Sequence, residues 1–303
     1  MFRALTVRPA PARQKDEAPS KGLRVFGSLL APTTVLTALL FYFGTRHATY
    51  FCQWFGVHYS VLGLSAPDYL IRSSDGMFVP LTVLAAAGLA TLWGYRFLHS
   101  ALAPRTWRAL TRRAVPVLVS LGLVLLLLGL TGLAVPSLLY AVPGLPGVCV
   151  ALGVILFPAA EHLHTTSSGK RVAGVVPVIQ WTFTFVLASI GLFWAVTDYS
   201  AAVGEARGYE YETKLGSMQR TVVFSAKDIG IRGPDVTMTA CTTPDPAYRF
   251  RYDGLVMILQ SSSQSVLLPT GWNRRDGVAI VLPRSGDTRL EFERAEAQRD
   301  RSC

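Results

Sequence analysis

The chain has 303 residues, half of them hydrophobic and only 16% charged, with mean hydropathy +0.36 and net charge +10. An ordinary soluble domain carries about 25% charged residues. The composition excludes a disordered chain, a collagen-like repeat and a disulfide-dense miniprotein, and the clustering of its apolar residues points to helices in a membrane.

Residues 1–25 are rich in proline, alanine and charge, without an apolar period, and predict a disordered cytoplasmic tail. A first span is predicted over Phe26–Gly44, uncharged from Arg24 to Arg46. Its core exceeds the ~7–15 residues of a signal peptide, and no small-x-small cleavage site follows, so it reads as an uncleaved helix. A loop over residues 45–76 comes next, holding Tyr50, Phe51, Trp54, Phe55, Tyr59 and Tyr69. Two readings compete for these aromatics: a belt at the lipid headgroups, and a ligand or partner surface. Within the loop, Ser65-Ala66-Pro67-Asp68 has the hydroxyl, early proline and first-turn acid of a helix start. A short interfacial helix through Ser74 is expected to lead into the second span, Met77–Tyr95.

Residues 114–160 contain no charge, enough for two crossings at roughly 20 residues each. The spans are placed at Ala114–Ala134 and Ser137–Ala160, and two turn signals compete between them, Ala134-Val135-Pro136-Ser137 and Pro143-Gly144-Leu145-Pro146-Gly147. One crossing with a re-entrant loop is the alternative. The fifth span is Pro177–Thr197, with Trp181 and Trp194 near opposite ends, ~20 Å apart at 1.5 Å per residue.

From about residue 205 the pattern changes. Short β-branched or alternating runs occur at Arg220–Ser225, Val236–Cys241, Tyr248–Tyr252, Leu255–Gln260, Ser265–Leu268, Val278–Leu282 and Arg289–Phe292. Turn signals such as Asp253-Gly254 and Pro269-Thr270-Gly271 separate them. Spacing of about 8–12 residues predicts a small antiparallel sheet. The fold class is therefore an α-helical membrane bundle of five transmembrane helices over residues 26–204, followed by a small antiparallel β extracytoplasmic domain over 205–303.

Charge sets the orientation. Residues 1–25, 95–113 and 161–175 carry +4, +5 and +1, the whole of the net charge, while residues 45–76 and the chain from Asp198 onward balance to zero. Lys and Arg in short loops stay cytoplasmic, so the N-terminus is inside and the loop and β-domain are outside. The basic balance is a topology signal, and no nucleic-acid partner is predicted. Arg105–Arg113 suits anionic lipid heads.

Chemistry is sparse. Cys52, Cys241 and Cys303 face an oxidising side and allow at most one disulfide, while Cys149 is a packing residue in a span. In Glu161-His162-Leu163-His164 the histidines are two apart and diverge on a helix, which argues against a metal site. No His-Glu-x-x-His, phosphate-binding loop, dinucleotide fingerprint or Gly-x-Ser-x-Gly occurs. No catalytic, cofactor-binding or metal-ligating residue is predicted, and the chain is not expected to be an enzyme.

Phe43-Gly44-Thr45-Arg46, Phe55-Gly56-Val57, the stretch Leu62–Ser73 with Phe78-Val79-Pro80-Leu81, and Tyr252-Asp253-Gly254-Leu255 with Leu267-Leu268-Pro269-Thr270-Gly271-Trp272 together resemble a family of uncharacterised actinobacterial multi-pass membrane proteins. The resemblance implies a bacterial plasma membrane and carries over no functional residue. The function expected is a multi-pass plasma-membrane protein presenting an extracytoplasmic binding or scaffold domain, its candidate outside surface formed by Trp54, Phe55, Tyr59, Tyr69 and Trp272. Its partners would be the lipid bilayer and an unidentified protein. The alternative is a permease or channel-like component using the fourth helix, broken at Pro143–Gly147.

Overall fold

A computed structural model describes residues 21–135, 142–168, 175–242 and 247–294. The predicted tail up to residue 20, the Pro136-Ser137 turn signal, Lys170-Arg171 and Cys303 lie outside them. The chain divides into two compact units, Met1–Leu39 and Leu40–Cys303. The described part of the first is helical; the second holds the remaining helices and the sheet.

Five helices come first: α1 Lys21–Trp54, α2 Ala66–Ala101, α3 Pro104–Ala134, α4 Leu145–Ser168 and α5 Val175–Lys214. Among the described residues, α2 to α5 are long and apolar enough to cross a membrane. The predicted span Phe26–Gly44 lies within α1. Helices capable of spanning a membrane, followed by an antiparallel sheet, are thus the architecture.

The helices run further than hydropathy places them. Ser65 starts α2, its N–H and Oγ–H donating to Asp68 Oδ2 at 2.8 and 2.7 Å. The result is one helix of 36 residues in place of a short interfacial helix followed by a span. α5 has 40 residues and is therefore ~60 Å long, twice the ~30 Å of a hydrocarbon core. Residues 205–214, expected to open the β-domain, are its last turns. Their polarity is that of a solvated helix: Glu210 takes Arg207 at 2.8 Å and Lys214 at 2.7 Å, three and four residues away. Residues 45–54 likewise belong to α1, so the predicted loop shrinks to a connection over residues 55–65 with one 3-10 turn, Tyr59–Leu62.

The fourth span also moves. α4 begins at Leu145, eight residues beyond Ser137, and Gly144 in the preceding turn has φ +79°. Pro146 sits in the first helical turn, where a missing N–H costs nothing. Pro143–Gly147 is therefore the entry to a helix, and the channel reading loses the break it placed within the fourth span. Gly147 lies against the backbone of Gly191 and Ala195, and Gly122 of α3 against Gly153 of α4. Such glycine contacts let membrane helices approach closely.

The strands are β1 Arg220–Ser225, β2 Thr237–Ala240, β3 Phe250–Gln260, β4 Gln264–Pro269, β5 Ile280–Pro283 and β6 Thr288–Glu293. All pairings are antiparallel, in the order β5-β4-β3-β1-β6, with β2 on the first half of β3. Two predicted strands merge into β3, because Asp253-Gly254 makes a bulge rather than a turn. Between Thr221↔Leu255 and Val223↔Tyr252, β3 carries one extra residue. Gly254 absorbs it with φ +83°, a backbone state that favours glycine. A second irregularity falls at Ile258, between Met257 and Leu259.

Each face of the sheet has its own core. Val223, Tyr252, Leu255 and Leu267 pack with Ile231 of the loop between β1 and β2. On the other face, Val256, Ile258, Val266 and Leu268 pack against residues of the helical part. Cys241 is disulfide-bonded, whereas Cys52 and Cys149 are buried free thiols.

Candidate functional site

The second core is the junction from which the site is built. Phe51 and Cys52 near the end of α1, Phe55, Val57 and Leu62 of the connection, and Leu215 after α5 share it with Val256, Leu268 and Trp272 of the sheet unit. Ring centroids step from Phe51 to Phe55 in 5.3 Å and from Phe55 to Trp272 in 5.2 Å, and Tyr211 of α5 meets Phe51 edge-on at 5.3 Å. At its margin the indole N–H of half-buried Trp54 donates to Glu212 at 2.8 Å, and the Arg274 guanidinium covers the ring at 3.9 Å.

All five sequence-predicted surface residues therefore take part in packing within the chain. Phe55 and Trp272 are buried against each other; Tyr69 is buried, 5.1 Å from Phe41; Trp54 is half-covered. Tyr59, half-buried, stacks on His58 at 5.0 Å. The aromatic richness of residues 50–69 is accounted for by this joint, because burying it removes apolar area worth ~25 cal/mol per Å².

Beside the joint lies a cavity of about 400 Å³ whose walls come from α1, α2, α5 and β3. His47 and Phe51 of α1 form its back. Asp68, Arg72 and Asp75 line it from α2, and Arg207 and Tyr211 from α5. Ile258 closes it from β3, at the irregularity described above; bulges commonly re-aim a side chain in this way.

The polar groups divide into engaged and unengaged. Arg207 donates to Asp75 at 3.1 Å and to Glu210 at 2.8 Å. Asp68 is held by Ser65 at the start of α2. Arg72 has no ion pair or hydrogen bond among the described residues; its guanidinium lies 6.0 Å from the Phe51 ring centroid. His47 is 4% exposed, yet neither ring nitrogen has a protein partner. An unpaired buried polar group costs about 1–3 kcal/mol, so this imidazole is a destabilising element kept within an otherwise well-packed region. Burial holds its pKa down at about 4; Asp75 opposes the shift, and Arg72 and Arg207 reinforce it. It is therefore a neutral ring, with one N–H donor and one acceptor.

The Ser74 hydroxyl at the edge of the cavity is committed to the Ile71 carbonyl at 2.7 Å. Burial pushes the Cys52 thiol up to about 11, far from a reactive thiolate. Among the described residues no group of three or more His, Cys, Asp or Glu is placed to hold a metal ion.

None of the polar wall residues appears among the sequence-predicted sites. The available signal was the Ser65–Asp68 helix start. Once a helix begins there, Asp68, Arg72 and Asp75 recur at i, i+4 and i+7 and share one face. Arg207 was hidden in a stretch read as non-helical, and a lone histidine beside Arg46 carries no motif. No protein-family model, curated protein sequence or solved structure matches the chain.

Proposed function

We propose that the chain is a multi-pass protein of a bacterial plasma membrane that presents an extracytoplasmic binding module, with its N-terminus and basic loops in the cytoplasm. The observation that carries this reading is the joint, which fixes the sheet to the ends of α1 and α5 and closes a polar cavity at the junction. Three features support the orientation. The first is the concentration of Lys and Arg in the segments before α1, between α2 and α3, and between α4 and α5. The second is the Cys241 disulfide in the sheet unit, a bond suited to an oxidising compartment.

The third is helix direction. Phe43 meets Phe193, His47 meets Gly204 and Trp54 meets Gly208, so α1 and α5 run parallel. Parallel α1 and α5 support a sheet on the face that α1 reaches. The module binds rather than catalyses, since its unengaged polar groups are a guanidinium and a neutral imidazole without a free nucleophile beside them.

Fusing alkaline phosphatase, which is active only outside the cytoplasm, after the last residue tests the topology. An active phosphatase, with a cytoplasmic reporter silent at the same point, is the expected result. The reverse pattern means an even number of crossings and overturns the reading.

A further inference from the structure

We propose that the cavity between α1, α2, α5 and β3 is a binding site for a phosphodiester group, taken by the Arg72 guanidinium and the imidazole N–H of His47. The inference deepens the binding-module reading by naming the chemistry its cavity accepts.

Two independent observations carry it. Arg72 is a permanent cation facing a cavity of about 400 Å³ without a carboxylate of its own. His47 is 4% exposed, lines the same cavity, and has both nitrogens unpartnered within the protein. Of the charged wall residues, Arg207 and Asp75 satisfy each other and Asp68 is occupied by Ser65. Hydrogen bonds from Ser65 leave the Asp68 charge in place, so the four ionised wall residues balance; what remains unspent is donor capacity, in the Arg72 guanidinium and the His47 imidazole. A planar guanidinium offers paired N–H donors that match two phosphate oxygens, and a third oxygen accepts from the imidazole.

The volume admits a headgroup-sized ligand. Its lip includes Ile71, 72% exposed and two turns before the apolar run of α2, where an acyl or glycerol portion would lie. The same chemistry comes from two sources, a lipid headgroup at the outer surface and a soluble phosphodiester.

A bound anion also changes the titration of His47. The ring faces Arg72 and Asp75 from α2 and Arg207 from α5, and an anion between them favours the imidazolium. Binding must then tighten as pH falls, with a charge-constant phosphodiester as ligand so that only the protein titrates.

The test uses the full chain in a phosphate-free maltoside detergent, with binding read by ³¹P NMR line broadening and native mass spectrometry. The probes are dimethyl phosphate and dihexanoyl phosphatidylglycerol. Saturable binding is expected, weakened at least tenfold by Arg72→Gln and severalfold by His47→Gln. It is expected to tighten severalfold from pH 7 to pH 5 in the native chain and not in His47→Gln. Arg72 is only partly buried, so its variant keeps the test valid if His47→Gln fails to fold. Binding of both probes supports a general phosphodiester site; binding of the lipid alone supports a headgroup site. Absence of saturable binding, or binding unchanged by Arg72→Gln, overturns the proposal. Detergent binding does not depend on which side of the membrane the sheet occupies, so failure here is separable from failure of the topology.

Discussion

Replacing Phe55 by alanine probes the joint most directly. The side chain is 2% exposed and sits between Phe51 and Trp272 at 5.3 and 5.2 Å. Truncating a buried phenylalanine costs about 3–5 kcal/mol, from lost transfer energy and the cavity left behind. Each edge contact adds ~0.5–1.5 kcal/mol beyond area, which places Phe55→Ala near the upper end, at about 4–5 kcal/mol. At ~1.4 kcal/mol per factor of ten, opening of the sheet from the helices becomes about a thousandfold more frequent. Hydrogen exchange in nanodiscs reads this locally. Amides of Val256, Leu267 and Leu268 are expected to lose protection by about that factor, while those of α3 and α4, which among the described residues contribute no side chain to the joint, keep theirs. Phe55→Leu, which preserves most of the volume, is expected to cost about a third as much. Unchanged protection at Val256 and Leu268, or an equal loss throughout α3 and α4, would show that the joint is not a separable unit and refute the reasoning.

Gly76→Val places a branched side chain where even a Cβ would come 2.7 Å from Ser200 Oγ; it is expected to separate α2 from α5, read as loss of a cross-link between cysteines introduced at Asp75 and Arg207. Asp253→Ala removes the bidentate partner of Arg251, which is 5% exposed and among the described residues has one further ion-pair partner, Glu293 at 3.7 Å. Breaking a buried pair from one side costs about 3–5 kcal/mol, so thermal unfolding of the sheet is expected to shift markedly downward, and an unchanged transition refutes the pair's role. His47 supplies a pH signature. Its folded pKa of about 4 lies below the 6.5 of the unfolded chain, so protonation favours unfolding. The stability it permits is whole above pH 6.5 and drains by up to about 3 kcal/mol as pH falls to 4. Denaturant titrations of native chain and His47→Phe should diverge across that window, and parallel curves would refute the assignment.

Apolar length made the helical part legible, because it is a sum over some twenty residues and tolerates local error. The sheet was legible from short β-branched runs between turn residues: β1 coincides with the predicted run over Arg220–Ser225, whose residues from Thr221 on are all buried. Helix ends were not legible. A helix that leaves the membrane becomes polar without ceasing to be a helix, so residues 45–54 and 205–214 read as loop. Asp253-Gly254 misled for a related reason. The dipeptide supplies positive φ, which serves a bulge inside a strand as well as a turn between two. The cavity was the least legible feature, as it depends on which helix faces meet, and that in turn depends on extensions invisible to hydropathy.

The helix extensions decide what the sheet can do. A sheet tethered by one flexible linker would leave a site at the membrane surface without fixed walls. Here the walls come from three helices and a strand, and their spacing is set by close contacts that leave little freedom. Gly204 lies against the His47 carbonyl and Gly208 against the Trp54 side chain, fixing the separation of α1 and α5 on the side where His47 and Arg207 face the cavity. The aromatic joint fixes the sheet, and with it Ile258, against the same helices. A ligand that engages Arg72 and His47 therefore contacts residues whose positions are set by membrane helices and sheet together. Any difference in its affinity between two arrangements of the joint would shift the balance between them by that same difference. The apolar packing of Phe51, Phe55 and Trp272 resists such rearrangement, which predicts a preformed site over one that opens on binding, and makes the joint the element whose loosening should weaken ligand binding without any change to Arg72 or His47.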